Sequence, residues 1–239
     1  MTLVYQIDAQ CTRLLWVGRE RTVKTFEEFF DMIGSDLSLK IEFVCSDMWK
    51  PYLRVIRERC SNALNILDRF HIVAKMNDAL NDVRSAEARK LVTDGYEPVL
   101  SKTRWCVLKR RENLTSNQRI RLRDILKYNL QTVRAYLLKE QFQQFWDYDS
   151  PTWAGKFLDQ WIALVMRSRI EPMKKVAKTL RSHRELILNY CERLPISAQF
   201  WRQRYSTGIR ICAPWGCWKE PEGRVQTPPW RAAPVIWVS

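Results

Sequence analysis

Two aspartates follow short apolar runs that are typical of buried strands. Asp47 comes directly after residues 41–46, and Asp68 comes directly after residues 63–67, with His71 three positions further on. In open α/β sheets, polar groups at the carboxyl ends of strands lie at the mouth of the sheet, where chemistry is usually located. A carboxylate there offers hard oxygen ligands to a divalent metal ion. The spacing therefore indicates a candidate metal-binding edge.

Both aspartates also have a purely structural interpretation. Each precedes a helix-like stretch, so its side chain is suited to accept hydrogen bonds from the free N–H groups at a helix start. Spacing alone favours this capping role for Asp47 and leaves Asp68 ambiguous, since Asp68 is placed to cap a helix beginning at Phe70. For His71, a hydrogen bond to the neighbouring aspartate is a more common role than metal ligation.

Two strings of residues around these aspartates resemble the ISL3 family of bacterial insertion-sequence transposases. The strings are Ser46–Tyr52, which reads SDMWKPY, and Asp68–His71, which reads DRFH. The resemblance covers most of the chain, to about Arg193, through further strings at residues 102–105, 145–146 and 169–172. It implies a ribonuclease H-like sheet with a helical insertion, on which two aspartates and a glutamate cleave and join DNA.

The resemblance assigns roles to three residues. Asp47 matches the second catalytic aspartate, which makes it a ligand of the divalent metal, expected to be Mg²⁺. Asp68 and His71 match the signature that follows, and we expect them to support the strand end beside Asp47 rather than to perform chemistry. Two-metal phosphoryl transfer needs carboxylates that bridge two divalent ions roughly 4 Å apart, so Asp47 alone holds such a pair weakly.

The other two carboxylates of the family have no counterpart in this sequence. The first aspartate belongs to a strand that would precede Leu3, and the residues after Ile196 do not match the string that carries the glutamate. The absent strand is central in the family's sheet. We therefore expect the strands at Leu3 and Ile41 either to pair directly or to stay split with exposed edges. We also expect the upstream DNA-binding region of the family to be missing.

The charge balance points to a polyanionic partner. Forty Lys and Arg against 26 Asp and Glu give a net charge of +14, and each neutralised phosphate releases condensed counterions. Residues 101–139 hold 11 basic against 2 acidic residues, and residues 166–184 hold 7 against 1. DNA is the expected partner, although part of this charge is also consistent with a solvated surface. The candidate DNA-binding residues are Arg104, Arg110, Arg111, Arg167, Arg169, Lys174 and Lys175.

Composition argues against several other classes of protein. Hydrophobic residues make up 46% of the chain, which is typical of globular domains. No apolar run approaches the roughly 18 residues of a spanning helix, and the amino terminus lacks a signal-peptide layout. We therefore expect a cytoplasmic protein without a membrane partner. The seven cysteines form no Cys-x-x-Cys pair, which argues against a zinc site and a disulfide framework.

Periodicity divides the chain into three regions. Residues 1–93 alternate apolar runs with helical patterns and are predicted to form a partial ribonuclease H-like α/β region. Residues 94–195 are predicted to form a helical insertion, including one long helix from Ser116 to Trp146. In this insertion Trp105 and Trp153 are interpreted as packing residues. Residues 196–239 hold five of the ten prolines and no period, and are predicted to be an irregular tail of out-of-frame or foreign origin.

These observations predict a fragment of a DDE-type transposase, with DNA transposition as the ancestral function. Because only Asp47 of the three catalytic carboxylates is matched, we expect this chain alone to be catalytically inactive. The alternative is a non-catalytic basic DNA-binding protein that associates with full-length transposase and modulates it. Metal-dependent cutting that is lost in Asp47→Ala favours the enzyme, and binding without cutting favours the alternative.

Overall fold

A computed structural model describes residues 1–7, 12–191 and 235–238. The chain separates into two compact units. The first contains Met1–Asn65 together with a strand near the end of the chain, and the second spans Ile66–Glu192. We refer to them as the sheet unit and the helical unit.

Five strands form one sheet. They are β1 (Thr2–Ile7), β2 (Thr12–Gly18), β3 (Phe43–Ser46), β4 (Leu64–Leu67) and β5 (Val235–Val238). Their order across the sheet is β2-β1-β5-β3-β4. Strand β1 is antiparallel to both β2 and β5, whereas β3 and β5 run parallel. The predicted β1–β2 hairpin is confirmed, with residues 8–11 between the strands outside the described residues.

The position of β5 corrects two expectations. The strands at Leu3 and Ile41 were expected to pair directly or to remain split, and instead β5 lies between β1 and β3 and pairs with both. The region 196–239 was predicted to be irregular, and Val235–Val238 is a strand. The rest of that prediction concerns residues 196–234 and 239, which lie outside the described residues. A four-residue apolar segment carries too little period to reveal a pairing that depends on two distant partners.

Two helices cover the sheet unit's core. Helix α1 (Val23–Ser38) begins at Thr22, whose hydroxyl accepts a hydrogen bond from the N–H of Thr25, and it is kinked at Gly34, where φ is +79°. Helix α2 (Lys50–Arg59) has a proline in its first turn, where no intrahelical N–H is required. The helices bury aromatic and branched side chains against the sheet, including Phe26, Phe29, Val44, Tyr52, Ile56 and Val238.

Seven helices build the helical unit in its described residues. They are α3 (Arg69–Thr93), α4 (Arg104–Leu108), α5 (Ser116–Ile125), α6 (Gln131–Phe142), α7 (Pro151–Arg167), α8 (Glu171–Ser182) and α9 (Arg184–Leu188). Short 3-10 helices lie at Arg111–Asn113, Gln143–Asp147 and Asn189–Cys191. Trp161 is fully buried, donates to the carbonyl of Leu138 at 2.9 Å and meets Phe142 edge-on. In the part of the chain that the structure describes, no helix combines the length and apolar character needed to cross a bilayer.

The prediction of a single long helix from Ser116 to Trp146 is wrong, because the helix is interrupted between the end of α5 and the start of α6. The new helix start is capped from a distance: the carboxylate of Glu87 accepts hydrogen bonds from the N–H groups of Gln131 and Thr132, each at 2.7 Å. Glu87 lies on α3, so this cap is invisible to any local reading of the sequence. The apolar period of residues 116–146 continues across the interruption between α5 and α6, so the pattern does not reveal where the helix ends.

Candidate functional site

Asp47 lies directly after the last residue of β3, as the sequence predicted, and is buried. One carboxylate oxygen accepts a hydrogen bond from the backbone N–H of Trp49 at 2.9 Å. Trp49 is the capping residue of α2 and its own side chain makes no capping bond. Asp47 therefore satisfies a free N–H at the start of α2, which is the structural role that spacing alone favoured.

The second oxygen of Asp47 forms an ion pair with the guanidinium of Arg21. Arg21 also lies over the ring of Trp49, 5.1 Å from its centroid, and half of its side chain remains exposed. Sequence reasoning missed Arg21, since it precedes α1 and no local pattern links it to β3. Both oxygens of Asp47 are thus engaged by the protein itself.

A hydrogen bond joins the ends of β3 and β4 beside Asp47. Ser46 is fully buried and its hydroxyl donates to the side-chain oxygen of Asn65 at 3.2 Å. A buried hydroxyl without a partner is costly, so this contact helps to fix the strand end that presents Asp47. Neither Ser46 nor Asn65 carries a charge, so the pair supports the site without adding a carboxylate.

Asp68 and His71 lie together at the start of α3. Asp68 is buried and caps the helix, with one oxygen accepting from the N–H of Phe70 at 2.8 Å. Its other oxygen lies 3.7 Å from Nε2 of His71. The capping role that the sequence left open for Asp68 is therefore present, and His71 is the partner of Asp68 that the spacing indicated.

The predicted DNA-binding residues fall on two parts of the helical unit. Arg104 begins α4, Arg110 and Arg111 follow it, and the other four lie at the junction of α7 and α8. Two members of the set are held by acidic or phenolic partners. Arg111 donates to the hydroxyl of Tyr136 at 3.2 Å, and Lys174 donates to Glu171 at 2.7 Å. The exposed members are Arg104, Arg110, Arg111, Arg167, Arg169 and Lys175.

Lys139 is a basic residue whose position the sequence did not reveal. It lies on α6, is buried, and donates to the carbonyls of Val107 and Leu108 at 2.8 and 3.2 Å. Burial lowers the pKa of its ammonium group, and Glu140 opposes that shift. Because those carbonyls end α4, Lys139 fixes the segment that leads to Arg110.

Basic groups also lie close to one another in the helical unit. Burial and the nearby positive charge of Arg104 lower the pKa of Arg84 on α3. Arg110 acts in the same direction on Arg69, whose pKa burial already lowers. Arg69 lies over the ring of Trp146, 4.9 Å from its centroid. Like charges held this close repel each other, and a bound anion relieves that repulsion.

The interpretation of Trp105 and Trp153 as packing residues is wrong. Trp105 is 53% exposed and Trp153 is 59% exposed. Arg104 lies over the ring of Trp105 at 5.1 Å, and Lys156 lies over the ring of Trp153 at 4.4 Å. Both rings were interpreted as packing residues rather than as platforms for bases, and both are instead exposed to solvent.

Comparison with known proteins places this arrangement in a family. The model of the family DDE_Tnp_ISL3, described as a transposase, matches residues 1–198. This span includes both strings that resemble the family and both aspartates. The chain belongs to the ISL3 family of transposases.

Curated relatives agree with this membership. The transposase for insertion sequence element IS1001 of Bordetella parapertussis is 28% identical over 187 residues, which cover 77% of this chain and 46% of that protein. The transposase for insertion sequence element IS1557 of Mycobacterium tuberculosis is 28% identical over 207 residues, with the same coverage. This ISL3-family chain therefore spans about half the length of the curated relatives that it matches. No solved structure matches it.

The described residues of this ISL3-family chain do not supply a complete set of ligands for the family's divalent metal. Among residues 1–7, 12–191 and 235–238, no group of three or more His, Cys, Asp or Glu side chains is arranged to hold a metal ion. Asp47 offers one carboxylate, and Arg21 already neutralises it. Strand β5, which lies next to β3, contributes only Val, Ile, Trp and Val. The donor set that two bridged metal ions require is therefore incomplete in the described residues.

Proposed function

We propose that this chain is a DNA-binding portion of an insertion-sequence transposase and that it lacks cutting activity by itself. The observation that carries the proposal is the state of Asp47, which stands at the end of β3 but is bound on one oxygen by Arg21 and on the other by Trp49. Both oxygens of this carboxylate are engaged by the protein, and a cation that bound the second oxygen would have to compete with the positive charge of Arg21. Family membership and the excess of basic residues support the part of the proposal that concerns DNA binding.

The sheet supports a ribonuclease H-like assignment of the sheet unit. Asp47 follows β3, and the neighbouring position is filled by β5, which is antiparallel to β1 and parallel to β3. The family resemblance places a central strand there, carrying the first catalytic aspartate. We infer that β5 takes that structural place without the carboxylate. A complete site of this type would take Mg²⁺ through hard oxygen ligands, and Asp47 would be one of them.

The helical unit supplies the surface for DNA. Exposed Arg104 beside the exposed ring of Trp105 combines a phosphate-binding group with a face on which a base stacks. Burial lowers the pKa of Arg69 and of Lys139, and the positive charge of Arg110 acts in the same direction on both. Phosphate contacts of this kind set affinity rather than sequence preference. We therefore infer weakly specific, salt-sensitive binding.

Binding without cutting would also suit a protein that modulates full-length transposase. The contacts of Asp47 with Arg21 and Trp49 favour this second function over independent catalysis. Its distinguishing property is association with a longer transposase chain, or with another copy of itself, on the same DNA.

The test is DNA binding measured as a function of salt, with single charges removed from each unit. For wild type, log affinity should fall linearly with log salt, and Arg110→Ala should reduce the slope by about 0.9. Arg111→Ala should reduce the slope less, because Tyr136 and Glu140 hold that guanidinium. Arg54→Ala on α2 is the control: Arg54 is also exposed, lies in the sheet unit and pairs with Glu58, and its removal should leave the slope unchanged.

Two results would overturn the assignment of the binding surface. One is an affinity that does not respond to salt. The other is an equal loss of slope in Arg54→Ala and Arg110→Ala, which would mean that net charge alone governs binding.

A further inference from the structure

Strand β5 enters the sheet from outside the part of the chain that matches the family. The family match ends at residue 198, and β5 is Val235–Val238. It occupies the central position, so each of its edges is paired along four residues: Val235–Val238 lie opposite Ile7–Val4 on one side and Phe43–Ser46 on the other. A segment remote in sequence thus closes the sheet.

Strands β1 and β3, which flank β5, also make contacts that do not involve β5. Strand β1 is paired to β2 over six residues, from Thr2–Gly18 to Ile7–Thr12. Strand β3 is tied to β4 through the Ser46–Asn65 hydrogen bond. Ten of the eleven described buried residues in the sheet unit's core come from residues 4–60, and Val238 is the eleventh. Residues outside β5 therefore supply most of this core.

The groove between β1 and β3 has a definite chemistry. Both of its walls offer backbone N–H and C=O groups to β5. The strand pairs with β1 in the antiparallel direction and with β3 in the parallel direction. Its floor is apolar where Val238 packs among Val4, Val44 and Phe26. Backbone pairing gives affinity for any extended segment, and side-chain pockets give preference for apolar residues at alternate positions.

We propose that the groove between β1 and β3 is a strand-binding site and that its ligand is the chain's own segment Val235–Val238, docked as a separable peptide. Ligand and groove are joined through residues 192–234 of the same chain, so docking is intramolecular. When the strand is absent, the facing edges of β1 and β3 are left unpaired, and such edges recruit other strands. Docking of β5 therefore controls whether the sheet unit is closed.

A peptide of residues 233–239, fluorescently labelled, tests the groove in full-length chains. Ile236→Pro in the chain removes a ladder hydrogen bond and undocks the internal strand, so the labelled peptide should bind this variant saturably. Wild type should bind it at least about tenfold more weakly, because the tethered strand competes at an effective concentration in the millimolar range. A peptide carrying Ile236→Pro is the matched control and should not bind.

Hydrogen exchange of the wild-type chain supplies a readout that does not depend on the variant folding. The amides of β5 and those facing it on β1 and β3 should exchange together, at least about tenfold faster than the buried amides of α1 and α2, because a docked strand opens locally. Sedimentation should show a monomer.

Three results would overturn the proposal. Equal peptide binding by wild type and Ile236→Pro would show that the peptide does not enter this groove. Exchange of β5 only together with α1 and α2 would make the strand an integral part of the sheet. A dimer that dissociates in Ile236→Pro would show that the strand comes from a second copy.

Discussion

The sheet unit and the helical unit differ in how their positive and negative groups are balanced. In the sheet unit, Asp47 is bound by Arg21 and Asp31 is bound by Arg59. In the helical unit, basic residues outnumber their acidic partners, and Arg104 and Arg110 lie exposed near other positive groups. The first pattern neutralises the group that catalysis would need, and the second leaves a surface open to an anion. The proposed function follows this division, with anion binding assigned to the helical unit and a structural role assigned to Asp47 in the sheet unit.

The largest effect should come from the interior of the helical unit. Trp161→Ala removes a fully buried ring and its hydrogen bond to Leu138, and should lower the free energy of unfolding by about 3–5 kcal/mol. Trp153→Ala removes an equally large ring that is exposed and should cost less than about 1 kcal/mol. Urea unfolding followed by circular dichroism measures both. Similar losses would mean that the two rings are not divided between interior and surface.

A pH-dependent effect of intermediate size should come from the sheet unit. Burial raises the pKa of the Cys60 thiol to about 12 from its ordinary value of 9.0. The folded state thus holds a proton that the unfolded chain releases, so the contribution of Cys60 is fully present below pH 9 and is lost as pH rises towards 12. By pH 10.5 the loss should reach about 2 kcal/mol.

The measurement for Cys60 is the difference between wild type and Cys60→Ala, which removes the thiol and cancels the titration of other groups. Stability of the two proteins by urea unfolding at pH 8 and pH 10.5 gives the required double difference. A constant difference between the two proteins at both pH values would show that the thiol is not protected by burial.

The smallest effect is expected at the junction of α7 and α8, where one substitution should increase stability and weaken DNA binding. Arg169 has φ +59°, a left-handed conformation that favours glycine. Arg169→Gly should raise the free energy of unfolding by about 1 kcal/mol while it reduces the salt slope of DNA binding by about 0.9. Arg169→Ala removes the same charge without relieving the backbone, and Lys102→Gly, at φ +57°, relieves the backbone elsewhere. A variant that gains stability and keeps full binding would remove Arg169 from the DNA surface.

Sequence reasoning succeeded where the signal was local. Asp47 follows a run of apolar residues that forms β3, and Asp68 precedes the helix whose first free N–H it caps. Both positions can be read from neighbours within a few residues. The family resemblance, carried by contiguous strings around these aspartates, was confirmed for the same reason.

Sequence reasoning failed where one residue depended on a partner far away in the chain. Glu87 caps α6 from α3, and Arg21 reaches Asp47 from the start of α1. Strand β5 needs two partners that lie near the opposite end of the chain. No period within a short window records such pairings, so the helix break, the neutralised carboxylate and the completed sheet were all missed.

The proposed function is DNA binding without cutting, because Arg21 engages Asp47 and no group of three or more metal-ligating side chains forms among the described residues. The most direct test incubates the full chain with supercoiled and linear DNA, at a salt concentration where binding is first demonstrated, in Mg²⁺ and then in Mn²⁺. We predict bound DNA and no metal-dependent nicking or joining, with Asp47→Ala indistinguishable from wild type. Metal-dependent cutting that disappears in Asp47→Ala would contradict the account, since it would show that Asp47 leaves Arg21 and serves a working site.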